Sequence, residues 1–396
     1  MHVAWLGKKS PFCGNVTYSR EITQALIERG YQVTFLHFDH AQPSSTVLSK
    51  SLVATRSRTA QWQEVSLPFL FKSQIITIPA PRSGKLLVEA LRHLRPDVVH
   101  ASLTLSPLDF RLPEICQSLN LPLVVTFHPA FDRKLRTLSS GTQHVTYQIY
   151  APMLARCDCV IVFSKLQRDL LLKLGVSEST VAVIPNGVDV DKYAPGPSAI
   201  KSTLRARQLF VYQGRLSPEK NVDALLKAWR QAQMGPDCKL AIVGNGPLEA
   251  SLKLFYGNDD TIHWLGFVGD ELRRVDILRG ADAFILPSLV EGLSLSLLEA
   301  MSCGTACIAT DAGADGEVLE HGAGIVLDTQ RVAHQLRTIF PILRDHPEMT
   351  RLLGQKARQR VLERYTLTKN VSQVEAIYQQ LTNFAFSPSS SSYMLL

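Results

Sequence analysis

The feature that most constrains the fold is an alternation of short apolar runs with longer amphipathic runs along the whole chain. "HVAWLG" near the amino terminus is followed by a loop, a helical pattern over residues 16–29 and a second apolar run, "YQVTFLHF". Strand, helix, strand is the repeating unit of a parallel sheet, because parallel neighbours need a crossover connection. The alternation therefore predicts an α/β fold in which helices cover parallel sheets.

The alternation is interrupted once, by "IPNGVDVDKYAPGP", whose Pro, Gly, Asn and Asp residues are typical of a connection between domains. It restarts at "QLFVYQGRL" and ends in helical patterns over 331–344 and 347–380. We therefore predict two doubly wound, Rossmann-like domains that face each other across a cleft. The predicted segments are an amino-terminal domain (1–183), a linker (184–197), a carboxyl-terminal domain (198–365), a helix that crosses back to the first domain (366–384) and a disordered tail (385–396).

Composition narrows the class and the compartment. Of the 396 residues 45% are hydrophobic and 19% charged, which is typical of a globular protein rather than a disordered one. The seven cysteines are scattered without a C-x-x-C pair, which favours a reducing compartment over a disulfide scaffold or a zinc site. We expect a cytoplasmic protein without a signal peptide or a spanning helix, because no leader pattern and no run of about 18 apolar residues is seen. We also expect no metal or cofactor, because no cluster of metal ligands is evident in the sequence.

The positive charge is concentrated in the first half of the chain. Residues 1–183 hold 20 Lys and Arg against 12 Asp and Glu, whereas residues 184–396 hold 22 against 23. A basic half suits an anionic membrane, an acidic ligand or a nucleic acid. A merely uneven surface explains it as well, and the charge alone does not decide among these.

The stretch "EGLSLSLLEAMSCGT" places two carboxylates eight residues apart, at Glu291 and Glu299. Glycine disfavours a helix interior, so Gly292 indicates a loop followed by a helix that starts near Ser294 and ends at Gly304. Backbone N–H groups at such a helix start attract anionic oxygens. The carboxylates would repel a phosphate, and they are instead suited to accept hydrogen bonds from sugar hydroxyls.

A second motif, "GRLSPEKN", follows a predicted strand and leads into a helix. It brings the Arg215 guanidinium and the Lys220 ammonium to the end of the strand, which suits a phosphate or diphosphate. Two solvated charges at an ordinary helix start are the alternative. Hydroxyl acceptors beside diphosphate donors together indicate a nucleotide-sugar.

The motifs "IPNGVD", "GRLSPEKN", "VGNGP" and "EGLSLSLLEAMSCGTACIATDAGADGEVL", in this order and spacing, resemble the retaining glycosyltransferases of family 4, which have the GT-B fold. The resemblance implies that Glu291 holds the transferred sugar, Glu299 the ribose, and Arg215 with Lys220 the diphosphate. Further donor-binding positions that it implies are Gly14, Gly244, Phe267, Val268, Gly292, Leu293 and Ser294. The implied catalytic residues are His128, Glu291, Arg215 and Lys220.

In the first domain the resemblance is less complete. Gly14 in "FCGN" stands where the family usually has a pair of glycines that close on the diphosphate. His128 ends the strand "PLVVTFH" and matches the family's histidine beside the reacting sugar carbon. A structural histidine at a strand end is the alternative. The family's favoured mechanism uses no covalent nucleophile, and the leaving diphosphate deprotonates the acceptor.

The acceptor is predicted from the basic first domain. Phe69, Phe71 and Lys72, with Arg133, Lys134 and Arg136, are suited to an anionic bilayer surface. Core aromatic rings with a solvated basic rim are the alternative. The segments "AWLGKKSPFCGNVTYSREI" and "HASLTLSPLDF" are similar to cyanobacterial-type glycolipid glycosyltransferases, including digalactosyldiacylglycerol synthases.

The resulting prediction is transfer of a hexose, with a UDP-sugar favoured, to a membrane glycolipid such as a glycosyl-diacylglycerol. The enzyme would be peripheral on the cytoplasmic face of a membrane and would bind no nucleic acid. Three alternatives stay open: a soluble or polysaccharide acceptor, a GT-B nucleotide-sugar epimerase, and a basic nucleic-acid-binding or membrane-binding protein without activity. The sugar, the base, the linkage and the oligomeric state are not predicted.

Overall fold

The computed structural model describes residues 1–10, 13–39, 62–73, 76–129 and 138–385, without the side chains of 138–142 and 384–385. Arg133, Lys134 and Arg136 lie outside the described residues, as does the predicted tail beyond Ala385. The chain forms two compact units. The first consists of the described residues within Met1–His128, Thr146–Ile184 and Val371–Leu396, and the second of those within Pro129–Val145 and Pro185–Asn370.

The first unit is built on a parallel sheet and a small antiparallel hairpin. Its strands are β1 His2–Gly7, β2 Gln32–Phe38, β3 Trp62–Leu67, β4 Phe69–Lys72, β5 Thr77–Pro79, β6 Val98–Ser102, β7 Leu123–Thr126, β8 Cys159–Val162 and β9 Val181–Val183. Within the described part of the chain, the parallel sheet has the order β3-β2-β1-β6-β7-β8-β9, and β4 pairs with β5. The helices that begin among the described residues of this part are α1 Gly14–Glu28, α2 Ser83–Leu94, α3 Leu112–Ser118, α4 Leu138–Leu154 and α5 Lys165–Lys173.

Apolar spacing explains these elements. Strand β1 is buried from Val3 to Gly7, as expected for a central parallel strand with both faces covered. Helix α1 buries Tyr18, Ile22 and Leu26, which lie four residues apart on one face. The helix ends before Gly30, whose φ of 89° favours glycine.

The second unit is built on a second parallel sheet. Its strands are β10 Gln208–Gln213, β11 Cys238–Val243, β12 Ile262–Gly266, β13 Ala283–Leu286, β14 Ala306–Thr310 and β15 Ile325–Leu327. In the residues that the structure describes, their order is β12-β11-β10-β13-β14-β15. The helices are α6 Ile200–Leu204, α7 Val222–Ala232, α8 Glu249–Tyr256, α9 Glu271–Gly280, α10 Leu295–Ser302, α11 Asp315–Val318, α12 Val332–Asp345, α13 Pro347–Arg364 and α14 Leu367–Ala385.

The predicted α/β class with two doubly wound, parallel sheets is confirmed. The helical pattern over 347–380 forms two helices, and the second begins at Leu367, next to the predicted start of the crossing helix at residue 366. Thr366 leaves the helix to pair with Val188, whose N–H donates to the Tyr365 carbonyl at 2.9 Å. Helix α14 is held to the first sheet by Tyr378, whose hydroxyl hydrogen-bonds the buried His100 of β6. Strand β3 and helix α4 were not predicted.

Candidate donor site and acceptor side

The segment after β13 has the local structure that the sequence predicts. Ser294 precedes α10, and its hydroxyl accepts a hydrogen bond from the Leu297 N–H at 3.3 Å. Glu299 lies inside the helix, and Gly304 follows its end with a φ of 78°. Glu291 therefore stands in the loop before a helix amino terminus, at the carboxyl edge of the second sheet.

Glu291 is the most deeply buried of the predicted sugar-binding and phosphate-binding side chains, with 8% of its surface exposed. Its Oε1 accepts a hydrogen bond from Ser288 Oγ at 2.8 Å and pairs with the Lys220 ammonium. No hydrogen bond to Oε2 is found among the described residues. One oxygen is thus fixed by the protein, and the other remains able to accept a ligand hydroxyl.

Arg215 is exposed and lies two residues beyond the end of β10. Its carbonyl accepts the Tyr212 hydroxyl at 2.7 Å, which fixes the backbone, and its guanidinium has no partner among the described residues. Of the two cations in the motif, Lys220 is therefore already paired with a carboxylate and Arg215 is available to an anion.

Close backbone packing brings the neighbouring strand ends together. Gly244 follows β11 with a φ of 129°, and a Cβ there would lie 1.9 Å from the Gly214 carbonyl oxygen. The Gly244 N–H donates to the Gly266 carbonyl at 2.7 Å. Phe267, directly after β12, is exposed beside these glycines, and the Val268 carbonyl accepts from Arg274 at 3.1 Å.

The loop after β14 supplies a residue that the sequence analysis missed. Asp315 Oδ1 accepts a hydrogen bond from the Ser294 N–H at 2.9 Å. In this structure an internal carboxyl group accepts from the Ser294 amide, and the assignment of Ser294 to donor binding stays a prediction. For the Gly292 and Leu293 amides, the described residues provide no acceptor.

Glu299 is positioned from the end of β10. Its Oε2 accepts a hydrogen bond from Gln213 Nε2 at 2.9 Å. Gln213 is the last residue of that strand, so the second carboxylate also lies at the carboxyl edge of the sheet. Glu291, Arg215, Lys220 and Gly244 are thus placed beyond strand ends of one edge, and the Glu299 carboxylate reaches the same edge from inside α10.

In the first unit, His128 follows β7 and is held by a polar chain. Its Nε2 is 2.8 Å from Ser102 Oγ, and that hydroxyl donates to Asn15 Oδ1 at 2.7 Å. A hydroxyl has one hydrogen, so the His128 Nε2 is the donor and Nδ1 the acceptor. Burial, together with the nearby Lys8 ammonium, lowers the pKa of His128 to about 3.

Lys8 is a second residue that the sequence did not single out. It follows β1, is buried and donates to the Ser73 carbonyl at 3.4 Å. Asp109 lies in the same electrostatic neighbourhood, and its Oδ2 accepts from the Tyr150 hydroxyl at 3.0 Å. Burial raises the pKa of Asp109 to about 6. Gly14 begins α1, where a Cβ would meet no atom of the described residues within 4 Å, so their packing does not require glycine at this position.

The hairpin β4–β5 divides the predicted membrane residues into two groups. Phe71 is 54% exposed, and it faces the exposed Ile78 across the hairpin. Lys72 is engaged instead, because its ammonium donates to the Phe38 carbonyl at 2.7 Å and lies over the Phe69 ring. None of the helices in the described residues is long and apolar enough to cross a membrane.

Two family models match this chain. One, described as "Glycosyl transferases group 1", matches residues 200–360, and the other, "Glycosyltransferase Family 4", matches residues 13–192. The matches fall on both units and together span most of the chain. The chain is a member of glycosyltransferase family 4. The predicted membership of this family is thereby confirmed, and the family is one of transferases.

Curated relatives of this family 4 glycosyltransferase differ in donor and acceptor. The "UDP-Gal:alpha-D-GlcNAc-diphosphoundecaprenol alpha-1,3-galactosyltransferase" of Escherichia coli is 25% identical over 74% of the chain and 77% of its own length. The "MMP alpha-(1->4)-mannosyltransferase" of Mycolicibacterium hassiacum is 29% identical over 56% of the chain, and 54% of its own length is covered. The "N-acetyl-alpha-D-glucosaminyl L-malate synthase" of Bacillus anthracis is 32% identical over 44% of the chain and 45% of its own length.

Solved structures share the fold over nearly the full chain. Sucrose-phosphate synthase from Thermosynechococcus elongatus superposes with a TM-score of 0.75 at 21% identity, covering 98% of this chain and 100% of that one. Anabaena Alr3699/HepE in complex with UDP-glucose gives a TM-score of 0.75 at 17% identity, with 96% and 100% covered. The predicted GT-B fold is confirmed.

Proposed function

We propose that this family 4 glycosyltransferase moves a hexose from a nucleotide-diphosphate sugar, with UDP favoured, to a hydroxyl of a membrane lipid, with retention at the anomeric carbon. The observation that carries the proposal is the state of Glu291. A nearly buried carboxylate that is neutralised at one oxygen and free at the other suits a neutral polyhydroxyl ligand beside an anionic one.

The other residues complete a donor site of matching chemistry. The Arg215 guanidinium and the free amides of Gly292 and Leu293 are suited to the diphosphate, with Lys220 shared between that anion and Glu291. Glu299 is assigned to the ribose, as the family resemblance implies, and the exposed Phe267 with Val268 to the base. Gly244 is assigned to the donor site because it permits the close packing of these loops.

The reaction then needs electrostatic stabilisation more than a nucleophile. The bond between the anomeric carbon and the diphosphate oxygen breaks, and the acceptor oxygen bonds to the same face of that carbon. The acceptor proton passes to the departing diphosphate, whose charge Arg215 and Lys220 stabilise. A neutral His128, with Nε2 donating to Ser102, offers Nδ1 as an acceptor for a sugar hydroxyl.

The lipid acceptor is supported by the first unit and by one relative. Exposed Phe71 and Ile78 form an apolar surface close in sequence to the exposed Arg82 and Lys85, and anionic bilayers attract such a combination. The Escherichia coli relative bears the name of a diphosphoundecaprenol-linked substrate. A cytoplasmic protein peripheral to the membrane follows from this proposal.

The deciding experiment incubates the protein with UDP-sugars and GDP-sugars and a total lipid extract, then identifies the labelled product. We expect one UDP-hexose to label a lipid, with an anomeric configuration equal to that of the donor by NMR. Product formed only with a soluble acceptor would contradict the lipid assignment. An altered nucleotide-sugar formed without any acceptor would identify an epimerase instead.

A further inference from the structure

The donor site contains a third carboxyl group, Asp315, that no motif of the sequence analysis included. Asp315 is the first residue of the short helix α11, and only 1% of its surface is exposed. Oδ1 accepts the Ser294 N–H at 2.9 Å, and Oδ2 is buried without a partner among the described residues. A buried carboxylate oxygen without a donor is costly, whereas a protonated oxygen in the same place is not charged.

Backbone contacts show what Asp315 is attached to. The Ala314 N–H donates to the Gly292 carbonyl at 2.7 Å. With the bond between Ser294 and Asp315, two hydrogen bonds thus join the segment after β14 to the loop after β13. Gly313 fits between them, since a Cβ there would lie 2.2 Å from the Glu291 carbonyl oxygen. The position of Glu291 therefore depends on the segment from Gly313 to Asp315.

Among the described residues, no cation is left to pair with Asp315. The charged groups that act on it are Glu291 and Lys220, and Lys220 already pairs with Glu291. Burial raises the pKa of Asp315 well above its usual value, and the Glu291 carboxylate adds to the rise. With Asp315 uncharged, the three groups sum to zero charge, and with Asp315 ionised they would repel a diphosphate.

We propose that Asp315 is a positioning residue of the donor site that acts as an uncharged carboxylic acid, fixing the Glu291–Ser294 turn without adding negative charge. It touches neither sugar nor phosphate and works through the Ser294 amide. The effect on donor binding rests on the proposed function, whereas the protonation state does not.

The test compares Asp315→Asn with Asp315→Ala. Asparagine keeps the oxygen that accepts from Ser294 and replaces the O–H by an N–H, so we expect a KM for the nucleotide-sugar and a kcat within about threefold of the wild type. Alanine removes the acceptor, and we expect its KM to rise about tenfold or more because the turn loses its support.

Thermal stability gives an independent readout. Above about pH 4, ionisation of Asp315 stabilises the unfolded chain, whereas the folded chain keeps the group protonated to a higher pH. The raised pKa therefore lowers the free energy of unfolding as pH rises. We expect Asp315→Asn to raise the Tm relative to wild type at pH 8 and to lose that advantage towards pH 4. Asp260→Asn, an exposed acid in the same unit, is the matched control and should show no such trend.

Two results would overturn the inference. One is an Asp315→Asn enzyme as impaired as Asp315→Ala, which would show that a negative charge is needed. The other is a Tm difference that does not change with pH. If the wild-type chain bound no nucleotide-sugar at all, the proposed function would fail, and the pH trend would still decide the state of Asp315.

Discussion

Arg215 and Lys220 carry the same charge five positions apart, yet the structure gives them different surroundings. Lys220 neutralises the buried Glu291, whereas Arg215 is exposed and unpaired within the described residues. Removing either cation should weaken stabilisation of a leaving diphosphate. Removing Lys220 should in addition leave a buried carboxylate without its partner, so the two substitutions are expected to differ in stability.

We predict that Arg215→Ala and Lys220→Ala each lower turnover about a hundredfold or more, as loss of preorganised charge does. Only Lys220→Ala should also destabilise the fold, by about 1–3 kcal/mol, because it breaks a partly buried ion pair. Steady-state kinetics and chemical denaturation measure the two effects. Lys227→Ala, exposed on α7, is the control, and an active Arg215→Ala enzyme would contradict the diphosphate assignment.

His128, like the buried His100 of the same unit, has a strongly lowered pKa. Its pKa of about 3 means that the ring stays neutral in the folded protein while the unfolded chain takes up a proton below about pH 6.5. The lowered pKa therefore lowers stability as pH falls through that range. We expect the His128 ring resonance, assigned by comparison with His128→Gln, to show no titration between pH 8 and pH 5 by NMR. A midpoint near pH 6.5 would contradict this.

At the scale of elements, the site depends on how closely three strand ends pack. Gly244 and Gly266 follow or end neighbouring strands, and both have positive φ angles, 129° and 66°. A Cβ on Gly244 would collide with the Gly214 carbonyl, whereas one on Gly266 would meet no described atom within 4 Å. A substitution at either glycine would therefore strain the backbone, but only at Gly244 would the added Cβ also collide with another residue.

We predict that Gly244→Ala destabilises the protein by more than Gly266→Ala, which should cost only about 1 kcal/mol of conformational strain. The Gly244 variant should also lose donor affinity, because the Gly214 backbone must move to admit the methyl group. Urea denaturation and nucleotide-sugar titration measure these effects. Equal losses of stability in the two variants would show that the packing of these loops is not tight.

The elements themselves were largely predictable, because apolar periodicity and glycine positions determine them. The helix after Ser294 with its end at Gly304 is an example. Contacts between distant loops were not, since nothing in a local pattern connects Lys220 with Glu291 or Ser294 with Asp315. The helical pattern runs on across Thr366, and the pairing that interrupts it there, with Val188, is a contact that no local pattern shows.

At the scale of the whole molecule, the role of the hairpin β4–β5 in docking on a membrane is a prediction that can be tested directly. We predict that the protein floats with vesicles containing anionic phospholipid at low salt, and that Phe71→Ser weakens this several-fold by removing an apolar contact. Phe255→Ser in the second unit is the matched control, because Phe255 is equally apolar and 68% exposed. Flotation lost to the same extent in both variants would contradict a role for the hairpin.

One cation, Lys8, interacts with both the hairpin β4–β5 and the His128 imidazole. The Lys8 ammonium is bound to the carbonyl of Ser73, next to β4, and its field reaches His128. A movement of Ser73 with the hairpin would remove one hydrogen-bond acceptor from that ammonium, and the field at the neutral His128 ring would change with it. The chemical shift of the His128 ring is therefore expected to respond when vesicles are added, although the ring itself stays neutral.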